Sequence, residues 1–435
     1  MAGPGTGSSR VRTLLLAGLV LAVLGGLVPF LRKRTSELPV YVKGAARMAE
    51  GLEIYRPDEP KPFTYPPFFA LPFLPLVPLS APLARSLWYF FNVGLLLWIF
   101  RRLHRRLAAW KGGIDPPGIR SISILVFWVS VILVAGRHLS AVFENQSHDL
   151  IILGLLVLSL EGPSRAGARG GALDGGALGT AAACKATPLI FAPVLFWQRR
   201  WKALAGFTGA LLLATLLPDL LFPRQDGRFW AQAWFSTFLS GLEPGSAADR
   251  GGAWSAWNYL NQSLSGSLHR LFTKVGATND PHVFDVSLAD LPRAWLKVLN
   301  LGAQGAVLGL LFLGTRRRDL PAESRGDRWF RRLGETGLGA CAMVLLSPMS
   351  SKSHFCVLLL PAAYCIADFF WRSRDRIVLS LLLAAFASGS LTAKGLLGAK
   401  VGNLVLAHGS VTFSALALFL ATAHVLHHRE GRAAA

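Results

Sequence analysis

The sequence predicts an all-α polytopic membrane protein, and three observations carry that prediction. Of 435 residues, 52% are hydrophobic and only 16% charged, with a mean hydropathy of +0.43, which is more apolar content than a water-soluble fold usually encloses. The apolar residues fall in long runs almost free of charge. The formal net charge of +21 is concentrated in the segments between those runs, as in membrane proteins whose basic loops meet anionic lipid. A nucleic-acid-binding protein would instead cluster basic and aromatic side chains on a folded soluble domain. Cys184, Cys341, Cys356 and Cys365 sit singly in apolar stretches and read as small core residues, without metal-ligand or disulfide spacing.

An apolar run of ~17–25 residues crosses a bilayer as a helix because the helix satisfies its own backbone hydrogen bonds. That window selects about 12 transmembrane helices, near 12–30, 83–101, 119–136, 149–160, 170–185, 187–198, 203–222, 293–314, 334–348, 355–371, 376–391 and 405–426. The first run has an apolar core too long for a signal-peptide h-region and no small-residue cleavage site after Phe30, so it reads as an anchor. No internal repeat is visible, and 1–435 reads as a single integral membrane domain.

Orientation follows from the basic loops. Arg101, Arg102, Arg105 and Arg106; Arg199, Arg200 and Lys202; Arg316, Arg317 and Arg318 with Arg331 and Arg332; and Arg372 to Arg376 all fall on one side when the spans alternate, which is the cytoplasmic side by the positive-inside rule. Both termini then face the cytoplasm of a multi-pass cell-membrane protein. The cluster Arg32-Lys33-Arg34 departs from the rule, because the same topology places it outside. Either the rule is locally overridden or these cations have work there.

Three segments are expected outside: a large first loop, 31–82; a short one, 137–148; and a large one, 223–291. The first carries a proline-punctuated apolar piece from Tyr65 to Pro75, too broken for a spanning helix and expected to lie in the interface or to dip in and return. The third carries Trp230, Trp234, Trp254 and Trp257, expected at headgroup depth. The stretch Ala166 to Gly176 reads as a Gly/Ala-rich cytoplasmic turn.

The residues able to do chemistry gather on the outer side. Glu37 opens the first outer loop just past the first span, where partial desolvation raises a carboxylate's basicity toward what proton abstraction needs. Its competing roles are an interfacial helix cap or an ion-pair partner for Arg32-Lys33-Arg34. Lys185 lies between two apolar runs, and a cation there calls for a polar cavity or an anion unless it snorkels to the interface. The segment Asn258 to Arg270 supplies amides, hydroxyls and one guanidinium, and Ser347 to His354 ends a span with a cation and an imidazole. A further polar stretch runs from Glu144 to Asp149. One carboxylate base, several cations and many neutral hydrogen-bonders on one face describe a glycosyl-transfer site with a lipid-phosphate donor.

In these motifs the chain resembles glycosyltransferase family 87, the polyprenol-phosphate-dependent members of the C-type glycosyltransferase superfamily that include bacterial alpha-mannosyltransferases. The likeness covers nearly the whole chain. It rests on Glu37 to Tyr41, Gly51 to Tyr55 followed by Phe63 to Pro67, Cys184 to Pro188, Asn261 to Leu264 with Arg270, and Ser347-Pro348 leading to His354, in this order and spacing. The resemblance implies the C-type fold with a first outer loop carrying the catalytic acid, Glu37 standing where the family usually has Asp. It implies a donor phosphate held by Lys185, Arg270 and His354, and substrate contacts from Tyr41, Tyr65, Gln146, Asn261 and Gln262. The family's usual Trp and paired His after Ser-Pro read here as Ser351, Ser353 and a single His354.

The function implied is transfer of a hexose, mannose being the one the resemblance favours, from a polyprenyl-phosphate donor to a glycolipid or glycan acceptor on the outer face, with inversion. Donor, acceptor and membrane lipids are the expected partners. Nucleic acid is not. No cofactor or metal is expected, since neither a Gly-rich phosphate loop nor a metal-ligand cluster occurs in the sequence. The alternatives are a transporter or flippase of a lipid-linked substrate and a non-catalytic glycolipid-binding homologue.

Overall fold

The computed structural model describes residues 6–33, 36–112, 123–161, 168–240, 243, 245, 254–276, 278–316 and 323–434. Among them no strand forms, and one isolated bridge pairs Asn258 with Val283. In chain order the helices are α1 (Thr6–Arg32), α2 (Leu38–Ala49), α3 (Ala81–Gly112), α4 (Ile124–Asn145), α5 (Asp149–Leu158), α6 (Ala168–Cys184), α7 (Phe191–Trp197), α8 (Trp201–Leu221), α9 (Trp230–Trp234), α10 (Leu264–Phe272), α11 (Arg293–Thr315), α12 (Arg325–Leu346), α13 (Leu359–Asp368), α14 (Arg376–Gly389), α15 (Lys394–Ala407) and α16 (Ser410–Ala434). Starts are chemically marked: the Ser123, Ser263 and Ser324 hydroxyls accept from backbone N–H groups in the first turns of α4, α10 and α12, satisfying donors the helix itself leaves free.

Six helical stretches among the described residues are long and apolar enough to cross a membrane: α3, α4, α8, α11, 352–373 and 410–428. A seventh arises if the bent pair α14 and α15 counts as one. Their outer faces are apolar: Leu213 and Leu220 on α8 are 64% and 74% exposed, as lipid-facing side chains are and water-facing ones seldom are. The chain is an all-helical membrane protein. The runs at 149–160 and 187–198 also form apolar helices, but short ones, Asp149–Leu158 and Thr187–Trp197. The four cysteines are free and buried, as small core residues should be.

Several sequence expectations are corrected. The described part of the Gly/Ala-rich stretch, from Ala168, is not a turn but the first half of α6; residues 166 and 167 lie outside the described residues. Its small residues serve close helix packing. A Cβ on Gly175 would come 1.7 Å from the carbonyl oxygen of Ala203, one on Gly179 2.2 Å from that of Phe207, and one on Gly206 2.1 Å from that of Ala172. Gly175→Val is therefore expected to destabilise the protein by ~1–3 kcal/mol or more, the cost of overpacking against backbone. Thermal unfolding in detergent checks this, with Gly209→Val, where a Cβ meets nothing within 4 Å, as the silent control.

Residues 392–404, left between two expected spans, mostly belong to α15, which is set at 83° to α14 and is itself kinked at Gly398 (φ +76°). With 14 residues α15 is too short to span alone, and Lys394, Gly395, Gly398, Lys400 and Gly402 interrupt its apolar run. The run 405–426 straddles a real break, since Gly409 has φ +82° between α15 and α16, a conformation glycine adopts without strain. The run at 334–348 belongs to α12, which starts earlier, at Arg325.

Two of the Trp residues after α8 are placed by specific bonds. Trp230 is fully buried, donates its indole N–H to the Phe222 carbonyl at 2.7 Å and carries the Arg224 guanidinium over its ring. Trp234 donates to the Thr64 carbonyl at 3.0 Å. Trp230 thus closes on the end of α8, while Trp234 and Arg224, which bonds Glu53 at 2.8 Å, fasten the segment after α8 to the one after α2. The proline piece forms a 3₁₀ segment, Pro67–Leu76, whose Phe69 and Phe73 are buried beneath α2 against Tyr41.

Candidate active site

The site begins where α1 gives way to α2. Glu37 stands at the N-cap of α2, its N–H donating to the Asn145 carbonyl at 2.9 Å, while its side chain makes no capping bond. The carboxylate is 31% exposed and faces Lys61 at 3.6 Å, so its ion partner is Lys61. Arg34 lies outside the described residues. Burial pushes the Glu37 pKa up; Lys61 opposes the shift, and the nearby charge of Asp149 reinforces it.

One turn along α2, Tyr41 is fully buried, its hydroxyl 3.0 Å from His148 Nδ1. Tyr65, Phe69 and Phe73 close around it edge-on or tilted. The Tyr65 phenol interacts electrostatically with both Glu37 and Tyr41.

His148 and Asp149 open α5, so the carboxylate of Asp149 meets the positive end of that helix. The Ser147 hydroxyl donates to Asp149 at 2.9 Å, and Lys185 Nζ donates to its other oxygen at 2.7 Å. Lys185 sits just past the end of α6 with its side chain only 11% exposed, and that of Asp149 is 3% exposed. The lysine therefore does not snorkel; the anion it requires is Asp149. His354 lies in the 3₁₀ segment Lys352–Leu358 and accepts at Nδ1 from the Ser351 N–H at 3.2 Å, which leaves Nε2 as the proton-bearing nitrogen of the neutral ring. Its ring interacts electrostatically with Lys185 and Asp149.

Glu37, Tyr41, Tyr65, Lys185 and His354, drawn from four separate stretches, thus meet in one place. The sequence reading passed over His148 and Asp149 as part of a polar stretch. Part of the signal was present, because a cation between apolar runs demands an anion and Asp149 heads another of the apolar runs, but the sequence does not say which anion is met. The buried polar atoms Ser36 Oγ, His148 Nε2 and Thr187 Oγ1 have no hydrogen-bond partner among the described residues. Orphans of this kind are rare in native proteins and are met by water or ligand.

The remaining expected site residues are placed elsewhere. Arg270 is buried with four N–H groups already engaged: Nε on the Ala407 carbonyl at 2.8 Å, Nη1 on the carbonyls of Asn258 and Asn261, and Nη2 on the Ser267 hydroxyl. Burial lowers its pKa to about 10. Asn261 holds the Pro348 carbonyl and the Ser350 N–H, while Gln262 donates to the carbonyls of Tyr259 and Leu406. These three residues bind the segment before α11 to the Ser-Pro turn and the end of α15. Gln146, in the left-handed conformation that ends α4, donates to the Phe30 carbonyl at 2.7 Å and accepts at its own carbonyl from Trp88, strapping α1 and α3 to α4.

No solved structure matches the chain. A polyprenol-phosphate-mannose-dependent alpha-(1-2)-phosphatidylinositol pentamannoside mannosyltransferase of Mycobacterium tuberculosis is 27% identical over 339 residues, covering 76% of this chain and 66% of that protein. A polyprenol-phosphate-mannose-dependent alpha-(1-2)-phosphatidylinositol mannoside mannosyltransferase of Mycolicibacterium smegmatis is 26% identical over 357 residues, 80% of this chain and 70% of that protein. The chain thus spans about two thirds of the length of these relatives. The profile of glycosyltransferase family 87 matches residues 63–348, and the chain belongs to that family.

Proposed function

We propose that the protein transfers a hexose, mannose by the similarity of its relatives, from a polyprenyl-phosphate donor to a glycolipid acceptor at the extracytoplasmic face. The observation that carries this reading is the meeting of a desolvated carboxylate, Glu37, with the buried group of Lys185, Asp149 and His354. Glu37 takes the proton from an acceptor hydroxyl as the oxygen attacks the anomeric carbon. The bond from that carbon to the phosphate oxygen breaks, its electron pair leaves with the phosphate, and attack from the opposite face inverts the centre. The His354 Nε2–H serves as the donor to the growing phosphate charge. Lys185, balanced by Asp149, fixes that corner of the site and adds little net charge to it. Tyr41 and Tyr65 wall the sugar subsite. The similarity to phosphatidylinositol mannoside mannosyltransferases supports an acceptor of the phosphoinositide glycolipid type. Arg270, Asn261, Gln262 and Gln146 hold the surrounding segments in place.

Membranes containing the protein, incubated with a panel of radiolabelled polyprenyl-phosphate sugars and phosphatidylinositol mannosides, should yield labelled glycolipid from the mannose donor. Absence of transfer from every donor overturns the reading. The proposed orientation is checked by single-cysteine labelling: a cysteine at position 105 should resist an impermeant reagent in intact cells, and one at position 58 should react.

A further inference from the structure

The sequence leaves one cationic cluster, Arg32-Lys33-Arg34, on the side where the positive-inside rule does not expect it. In the structure three more cations are carried to the same region as Lys33. Lys33 lies three residues past Phe30, whose carbonyl binds Gln146 at the end of α4 at 2.7 Å. Arg137 is on α4, and Lys352 opens the 3₁₀ segment whose Phe355 ring stands 6.0 Å from that of His138, next to Arg137; Lys394 opens α15. Lys352 interacts electrostatically with Lys394, Arg137, Lys33 and Glu144, and Lys394 with the same Arg137, Lys33 and Glu144.

Arg137 braces the break between α14 and α15, donating to the Gly389 carbonyl and to the Thr392 hydroxyl at 2.6 Å, two residues before Lys394. The Lys394 ammonium sits over the Tyr259 ring, 5.5 Å from its centre. Beside this brace lies His138, fully buried, whose Nε2 has no partner among the described residues and would sit 3.3 Å from a Cβ on Gly389.

Four cations facing one exposed carboxylate, Glu144, leave an uncompensated formal charge of about +3. Arg137, Lys352 and Lys394 are half-buried and Lys33 is exposed; like charges so gathered repel one another, and an anion that completes the set relieves them. Lys185 is the contrasting case, since its charge is already met by Asp149 at 2.7 Å. The surroundings favour a lipid over a soluble anion, because Leu396 and Val401 of the adjoining α15 are 68% and 49% exposed, an apolar surface suited to an acyl or prenyl chain.

We propose that Lys33, Arg137, Lys352 and Lys394 form a lipid-phosphate site at the break between α14 and α15. Lys33 lies four residues before Glu37 and Lys352 two before His354, so the site borders the transfer centre. Its assignment to the donor phosphate, which gains negative charge as the sugar leaves, rests on the transferase reading; its preference for a phosphate carried on a lipid does not.

The test uses the full chain in phosphatidylcholine nanodiscs, with no turnover required. A C55 polyprenyl phosphate, the matching polyprenol, phosphatidylinositol and inorganic phosphate are titrated against wild type and a Lys352→Gln/Lys394→Gln double variant. The double variant should bind polyprenyl phosphate at least about tenfold more weakly, with polyprenol binding and the thermal midpoint unchanged, and Lys352→Arg/Lys394→Arg should retain affinity. Loss confined to phosphatidylinositol would assign the site to the acceptor headgroup and still support a lipid phosphate. Wild-type affinity of the double variant for both lipids, or loss of inorganic phosphate alone, overturns the site. A protein that binds polyprenyl phosphate through these lysines yet transfers no sugar keeps the site and loses the transferase reading.

Discussion

Glu37→Gln is expected to lower sugar transfer by at least about 100-fold, the lower range for removal of a general base, while donor binding and thermal stability stay close to wild type. The amide keeps the size of the side chain and loses only the capacity to take a proton. It also loses the ion pair with Lys61, but that pair is half exposed, at 3.6 Å, and exposed pairs contribute little to stability. The pH dependence gives a second readout. A base works when deprotonated, and burial raises the Glu37 pKa, so wild-type activity should fall with decreasing pH at a point above the ordinary carboxylate range. Lys61→Gln removes the charge that opposes this shift and should move the acid limb to still higher pH. Glu37→Asp, which restores the residue usual in the family, should keep part of the activity if the loop accommodates its shorter reach. Wild-type transfer by Glu37→Gln would remove Glu37 from the mechanism and direct attention to Asp149.

The second large effect concerns Lys185. Removing it leaves Asp149 buried, 3% exposed and without its counter-ion, and breaking a buried pair by deleting one partner typically costs about 3–5 kcal/mol. Lys185→Ala should therefore lower the thermal midpoint as well as activity. Lys185→Met/Asp149→Leu, which removes both charges and refills the volume, should recover most of the stability. Comparison of the two variants separates folding from chemistry: if the double variant is stable and transfers sugar normally, the pair is purely architectural. If Lys185→Ala unfolds at the wild-type temperature, the ion pair contributes nothing to the fold.

Much of this architecture was legible in the chain because hydropathy over a bilayer-length window is a local property. The long runs in α3, α4, α8 and α11 needed no knowledge of their neighbours. Helix α15 was missed for the same reason, since its glycines and lysines fail a local test although the chain around it makes the helix favourable. Glu37, Lys185 and His354 were identifiable as charges or imidazoles in places where such groups are costly. What those charges meet is a tertiary fact: nothing near Lys185 in sequence states that Asp149, 36 residues earlier, is its partner. Arg270 illustrates the converse. A lone guanidinium among amides reads as a phosphate ligand until the Ala407 carbonyl, 137 residues later, takes its Nε–H.

The three backbone contacts between α6 and α8 bear on how Lys185 is held. Carbonyl oxygens occupy the places where side chains would sit at Gly175, Gly179 and Gly206, so one helix can neither slide past the other nor part from it without losing all three seats at once. The two helices are therefore expected to act as one unit that holds Lys185, carried at the end of α6, in place. The junction where α14 and α15 meet at 83° is held instead by the side chain of Arg137, and a change there leaves the seats between α6 and α8 untouched.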